Sequence, residues 1–238
     1  MHDFFDGLEP TASFSFFFND EGKAKPVKDT KYILFEGDIL PFILFGDELH
    51  SINNYCYTVS NSIFEKVSEC QNDLMAHLEY PHDAGEWSSY EIEMELESEL
   101  NRWDWLYRIV GTHLSILLHS FLEKTFKYIY KWYFEEQIIS KSSRFYSKVK
   151  IYNFIYNVFG LDEDSFQNAF PNAYNILEQS RKLRNNFVHE NLEGLDGEDD
   201  YIYSTKKFSP PFKLIEFFTE ITLLLYNAEK VYKQSKKI

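Results

Sequence analysis

Glycine and proline are scarce in this chain, nine and seven of 238 residues. Collagen-like, linker-like and low-complexity architectures are excluded on that ground. Cysteine is scarcer still, with Cys56 and Cys70 alone. They lie fourteen positions apart on one expected helix, about 21 Å along its axis at 1.5 Å per residue, so they cannot bridge within it. Two reduced, buried thiols are expected, because neither sits in a metal-ligand pattern. Long apolar runs are missing as well. Ile116–Leu118 and Leu223–Tyr226 are far too short to span a bilayer. The opening MHDFFDGLEP lacks the basic flank and apolar run of a secretory signal. The expectation is a soluble, cytoplasmic protein. HExxH, CxxC, P-loop and GxGxxG patterns do not occur, so no metal and no cofactor is expected. Basic residues are outnumbered, 24 against 38 acidic, for a net charge of −14. Such a field repels a polyanion at long range and argues against broad nonspecific nucleic-acid binding.

What is present in abundance is aromatic side chain: 23 Phe, 17 Tyr and four Trp. A chain of this length can bury a sizeable core without staples, and that core is expected to be aromatic-rich. The tryptophans, two of them in RWDW (residues 102–105), are read as packing residues. Charge is unevenly spread. Residues 86–104 and 190–200 are densely acidic, whereas cations gather at Lys124–Lys150, Arg181–Arg184 and Lys230–Lys237.

Along the chain, ASFSFFF (12–18) and KYILF (31–35) look strand-like across a turn-rich segment, which predicts a short β-hairpin. Pro41 and Gly46 close that N-terminal section. From Glu48 to about Tyr80 apolar residues recur every three or four positions, at Leu49, Ile52, Tyr55, Val59, Ile63 and Val67, the period of a helix. Pro81 and Gly85 mark a loop. The next segment starts with an ambiguous alternation, YEIEMELESEL. Its residue types and the spacing of Ile92, Leu96, Leu100, Trp103, Tyr107 and Val110 select a helix, continued through residues 112–136 with a kink expected at Gly111. A further helix is predicted over Ser143–Phe159, ending at Gly160. Asp162–Asp164 begin a turn. Another helix opens at Pro171 and runs to His189 or Glu190. The last covers Phe212–Tyr232. The fold class expected is mainly α, an antiparallel helical bundle with an N-terminal extension. Its parts are an extension over 1–46 carrying the hairpin, a helix over 47–85 packed on the bundle, and the bundle itself over 86–238.

The helix from Pro171 carries the chemistry. Ile176, Leu183 and Phe187 share its core face, widened by Leu177 and Val188. Asn185 and His189, four residues apart, are neighbours on the other side, and Arg184 lies at the edge between the faces. An imidazole at a helix C-terminus titrates near neutral pH and suits general acid–base work. A guanidinium offers planar donors that match phosphate oxygens. Arg181 and Lys182 add positive charge for binding RNA. RNA supplies its own nucleophile, the 2′-hydroxyl, so protons and phosphate charge are all that the protein must handle. A second Arg-x4-His, Arg108 to His113, leads into an apolar run and is read as a decoy. The other histidines, including His50, His77, His82 and His119, are read as structural or surface residues.

The string Leu183-Arg184-Asn185-Asn186-Phe187-Val188-His189 resembles the signature of the HEPN family, an Arg, a polar residue, three more residues and a His near the end of a late helix. Ser120–Tyr130, SFLEKTFKYIY, is similar to the early HEPN helix that often carries an acid, here Glu123. The resemblance spans roughly residues 100–235. It implies a helical bundle that dimerises, with two Arg/His motifs facing each other as one composite, metal-independent endoribonuclease site. His189 would then move protons, Arg184 would stabilise phosphate charge, Asn185 would orient groups, and Glu123 would orient Arg184. It also implies a toxin or defence effector with a neutralising protein or nucleotidyltransferase-type partner, and RNA as substrate. The alternative is a noncatalytic HEPN-like interaction or scaffold module, which the acidic surface favours. A basic cleft around the motif would separate the two readings in favour of the nuclease.

Overall fold

In the computed structural model, residues 3–9, 16–18, 24–26, 34–133, 151–186 and 212–236 are described. The chain is a mainly helical bundle. Its helices are α1 (Phe42–Glu79), α2 (Ser89–Tyr133), α3 (Ile151–Phe159), α4 (Glu163–Ala169), α5 (Pro171–Asn185) and α6 (Leu214–Lys236). Two three-residue strands, β1 (Phe16–Phe18) and β2 (Ala24–Pro26), pair antiparallel with Phe17 opposite Lys25. A hairpin therefore forms with 24–26 as its second strand; residues 31–33 of the expected strand lie outside the described residues. Leu34 and Phe35 leave strand geometry and enter the core. Phe35 donates its backbone N–H to Thr222 Oγ1 at 3.2 Å instead of to a strand partner.

α1 and α2 are 38 and 45 residues long, about 57 and 68 Å at the helical rise. They are antiparallel. Lys124 near the end of α2 bonds Glu48 near the start of α1 at 2.7 Å, and His77 near the end of α1 reaches the Ser89 carbonyl at 2.9 Å. Between them Gly85 takes φ +64, and Ser88 and Glu91 form a reciprocal cap. The Glu91 carboxylate accepts from Ser88 N–H at 2.8 Å, and Ser88 Oγ faces Glu91 N at 3.4 Å, the arrangement of a capping box.

Two glycines expected to break the chain do not. α1 begins at Phe42 rather than Glu48 and runs straight through Gly46. A Cβ at Gly46 would stand 2.5 Å from the Glu36 carbonyl oxygen, so glycine here lets the 35–36 backbone cross the helix. α2 is likewise uninterrupted at Gly111. A Cβ there would meet the Phe4 ring at 3.0 Å. Gly111 is thus the seat of an N-terminal aromatic and not a kink, because a missing side chain serves close packing as readily as bending.

The second half of the chain wraps α2. α3 ends at Gly160, which has φ +66, as the sequence predicts; residues 143–150 of that expected helix lie outside the described residues. Asp162 begins more than a turn. Its carboxylate accepts from Ser165 N–H at 2.8 Å and caps the short helix α4. α5 starts with Pro171 in its first turn and buries Ala173, Ile176, Leu177, Ser180 and Leu183. α6 buries Phe218, Ile221, Leu225 and Ala228 along the expected stripe. One core joins these helices to α1 and to Phe4 and Leu8. It is aromatic-rich: Phe35, Phe42, Phe126, Phe154, Phe166, Phe217 and Phe218 are all essentially inaccessible. Cys56 and Cys70 are buried and free, and burial pushes the Cys56 thiol up to about 12. Among the described residues no helix is long and apolar enough to cross a membrane.

Candidate functional site

The site grows from the contact between α2 and α5. Both helices present a core stripe, and on each the residues one step beyond it are polar. On α2 these are His119 and Glu123, four positions apart. On α5 they are Ser180 and Arg184, also four apart. Residues at that spacing share a helix face, so the two faces meet as a ladder. His119 Nδ1 lies 2.9 Å from Ser180 Oγ. One turn further along both helices, Arg184 Nη1 lies 3.9 Å from Glu123 Oε2.

The inner rung is dry. His119 and Ser180 are each 1% exposed. The Ser180 hydroxyl donates to the Leu177 carbonyl at 2.9 Å, so its oxygen accepts from His119 Nδ1–H, and Nε2 of the neutral ring carries the lone pair. Burial, then the positive charge of Arg184, lowers His119 from its ordinary 6.5 to about 4. The outer rung is wet. The Arg184 side chain keeps 42% of its surface and Glu123 27%. Burial pushes the Glu123 carboxyl up, but the hydrogen bond from Lys127 at 2.7 Å and the charges of Lys127 and Arg184 outweigh it and leave the group below its ordinary value. Glu123 is therefore an anion at neutral pH, held between two cations.

Asn185 is half-buried in the last turn of α5, and Asn186 follows in a π-type turn, its N–H shared between the Leu183 and Lys182 carbonyls. His189 lies outside the described residues. Arg181 donates two bonds to Glu178, at 3.2 and 2.8 Å, and Lys182 is exposed. The structure thus brings Arg184 and Glu123 together, sets Asn185 beside them in sequence at the helix end, and turns Arg181 toward a carboxylate of its own helix. Among the described cations near the motif, Lys124 is bound to Glu48, Lys127 to Glu123 and Arg181 to Glu178. Among the described residues, the ground around Arg184 holds these ion pairs and the exposed Lys182. His113 of the decoy motif is exposed on α2.

From sequence His119 reads as a structural or surface histidine, and Ser180 is not singled out. The signal that finds them is positional: each stands four residues before a motif residue, on the same face. The buried pair has a measurable consequence. An imidazole with a folded pKa near 4 against 6.5 unfolded binds its proton first in the unfolded chain. Its contribution is therefore present above about pH 6.5 and is lost as pH falls toward 4. His119→Gln is expected to flatten the stability-versus-pH curve between those values, measured by denaturant unfolding. An unchanged slope would mean that His119 does not stay neutral in the folded state.

No family model matches the chain, and no curated protein or solved structure matches it. The class that fold and site define is a mainly helical bundle with a polar α2–α5 seam carrying an exposed arginine.

Proposed function

We propose that the chain is a metal-independent endoribonuclease of the HEPN type, working as a homodimer in which two Arg184/Asn185/His189 motifs make one composite site. The observation that supports this reading is the Glu123–Arg184 rung. It places an anion 3.9 Å from a guanidinium at the end of α5 while leaving 42% of the arginine side chain accessible. That is what a phosphate-binding arginine needs: a set direction and an open face. The residue that must move protons, His189, follows five positions later. In the reaction the RNA 2′-hydroxyl attacks the adjacent phosphorus and gives its proton to one His189. The bond from phosphorus to the 5′-oxygen breaks, and that oxygen takes a proton from the second copy's imidazole. The products are a 2′,3′-cyclic phosphate and a 5′-hydroxyl. Arg184 neutralises the charge that grows on the phosphorane, and Asn185 orients the phosphate. The reading extends to a toxin or defence effector held in check by a protein or nucleotidyltransferase-type partner.

Cleavage of RNA in excess EDTA, leaving cyclic-phosphate ends and lost in a folded His189→Ala protein, is the expected result. Cleavage that persists in the variant sinks the assignment.

A second reading has its own support. The ion-paired cations around Arg184 and the net charge of −14 suit a noncatalytic interaction module. Absence of cleavage across several RNA classes, with the dimer intact, moves the function there.

A further inference from the structure

α2 begins far from the core. Its first buried residue is Tyr107, so residues 89–106 are a helix in which no side chain is buried. A helix in that position is ordinarily polar all round. This one is not. Met94 is 49% exposed, Trp105 37% and Leu106 36%. With Ile109 these residues line an open, shallow groove along one side of α2, formed by that helix alone, where Glu97 and Arg102 also stand. On the other side of α2, Leu100, Trp103 and Tyr107 pack against Ile63 and Val67 of α1 and form a separate small cluster. The groove is therefore a second apolar face of the same helix, outside the two buried clusters of the described residues.

The rim decides the occupant. Between residues 86 and 106 there are seven acidic residues and one basic residue, Arg102. That arginine is already paired with Glu95. A second copy of this chain would bring the same anionic rim against itself. Like charges facing across an interface oppose association. A basic segment is attracted instead. The groove runs along a helix and offers apolar contacts at Met94, Trp105 and Ile109, spaced as a helix presents them, which is the surface that an apolar helix face lies in. Tryptophan and methionine are the side chains that anchor such contacts.

We propose that the distal α2 groove docks a basic amphipathic helix of another protein, its apolar stripe against Met94, Trp105 and Ile109 and its lysines or arginines against the glutamates of the rim. This site is separate from the α2–α5 seam and does not rest on the nuclease reading.

The test uses the full chain and a fluorescent 20-residue helical peptide of lysine and leucine, with leucines at i, i+3, i+4 and i+7. Two comparison peptides accompany it, one with glutamate for lysine and one with the leucine stripe scrambled. Anisotropy is expected to give micromolar binding of the first peptide, at least tenfold weaker binding of both others, and a marked loss between 50 and 300 mM salt. Trp105→Ser and Met94→Ser are each expected to weaken binding about tenfold, and Glu69→Gln on α1 to leave it nearly unchanged. Equal binding of the scrambled peptide would reduce the effect to charge alone and overturn the proposal. So would full binding by Trp105→Ser. Sedimentation showing a dimer that Trp105→Ser dissociates would assign the groove to a second copy; a dimer that survives the substitution leaves the proposal standing.

Discussion

Arg184→Ala is expected to lower metal-free RNA cleavage by about 10²- to 10³-fold, the cost of removing one donor that faces developing charge. Arg184→Lys is expected to rescue little of it. Lysine is a point charge and cannot hold a phosphate with two parallel donors, nor keep the same distance from Glu123 while doing so. His189→Ala is expected to lose about 10²- to 10⁴-fold, the usual worth of a positioned acid–base group. Glu123→Gln separates anchoring from chemistry. Glu123 touches Arg184 at 3.9 Å and would not touch the phosphate, so it is a positioning residue. Its loss is expected to raise KM more than it lowers kcat, by about tenfold. These rates are read as single-turnover cleavage of a labelled RNA in EDTA, with folding checked by circular dichroism. If Arg184→Lys cleaves like the parent protein, the guanidinium is not the phosphate ligand, and the α2–α5 ladder is a packing device.

Glu229→Ala is expected to destabilise the fold by about 3 kcal/mol, since a charged acceptor left out strands its donors. Glu229 is 3% exposed in α6. Its Oε1 accepts the backbone N–H of Asp38 at 2.8 Å and of Ile39 at 3.0 Å, and Lys233 stands 3.6 Å away. The carboxylate thereby ties the turn before α1 to the last helix, across more than 180 residues of chain. Glu229→Gln keeps an oxygen in place for both donors and loses only the charge, so about 1 kcal/mol is expected. For a chain of this size the alanine variant should melt roughly 10 °C lower. Equal melting temperatures for the two variants would show that the paired N–H groups find water instead, and that the tie contributes little.

Much of the architecture is legible in the residues. Apolar positions three and four apart place α1, α2 and α6; α6 buries most of its marked stripe, α1 buries Leu49, Ile63 and Val67 but leaves Tyr55 exposed, and α2 buries only Tyr107 of its own. Pro171 and Gly160 start and stop helices by their own backbone preferences, which no neighbour overrules. The motif on α5 is legible for the same reason: Arg184 and Asn185 are a local pattern, and helical spacing tells which side of the helix each one takes. The N-cap role of Asp162 was within reach, since Asp followed by a carboxylate-rich first turn is a helix start, yet the turn residues around it hide a helix of only seven positions.

What tertiary structure decides is which faces meet. A glycine reads the same in sequence whether it bends a helix or admits a neighbour. Gly46 and Gly111 do the second, because the 35–36 backbone and Phe4 come to them from elsewhere in the chain. KYILF has strand-forming residues, but the Phe35 N–H is claimed by Thr222, 187 positions away, and burial of Phe35 outweighs any strand partner. The pairing of His119 with Ser180 and of Glu123 with Arg184 is of the same kind. Four-residue spacing alone puts each pair's members on a face, whereas only the docking of α5 on α2 sets one face against the other and keeps the inner rung dry and the outer rung open. The sequence by itself thus determined the helices and the polar motif, which depend on neighbours three and four residues away. The fold decided the environment of each motif residue, because burial and charge arise from contacts between segments that the local sequence does not encode.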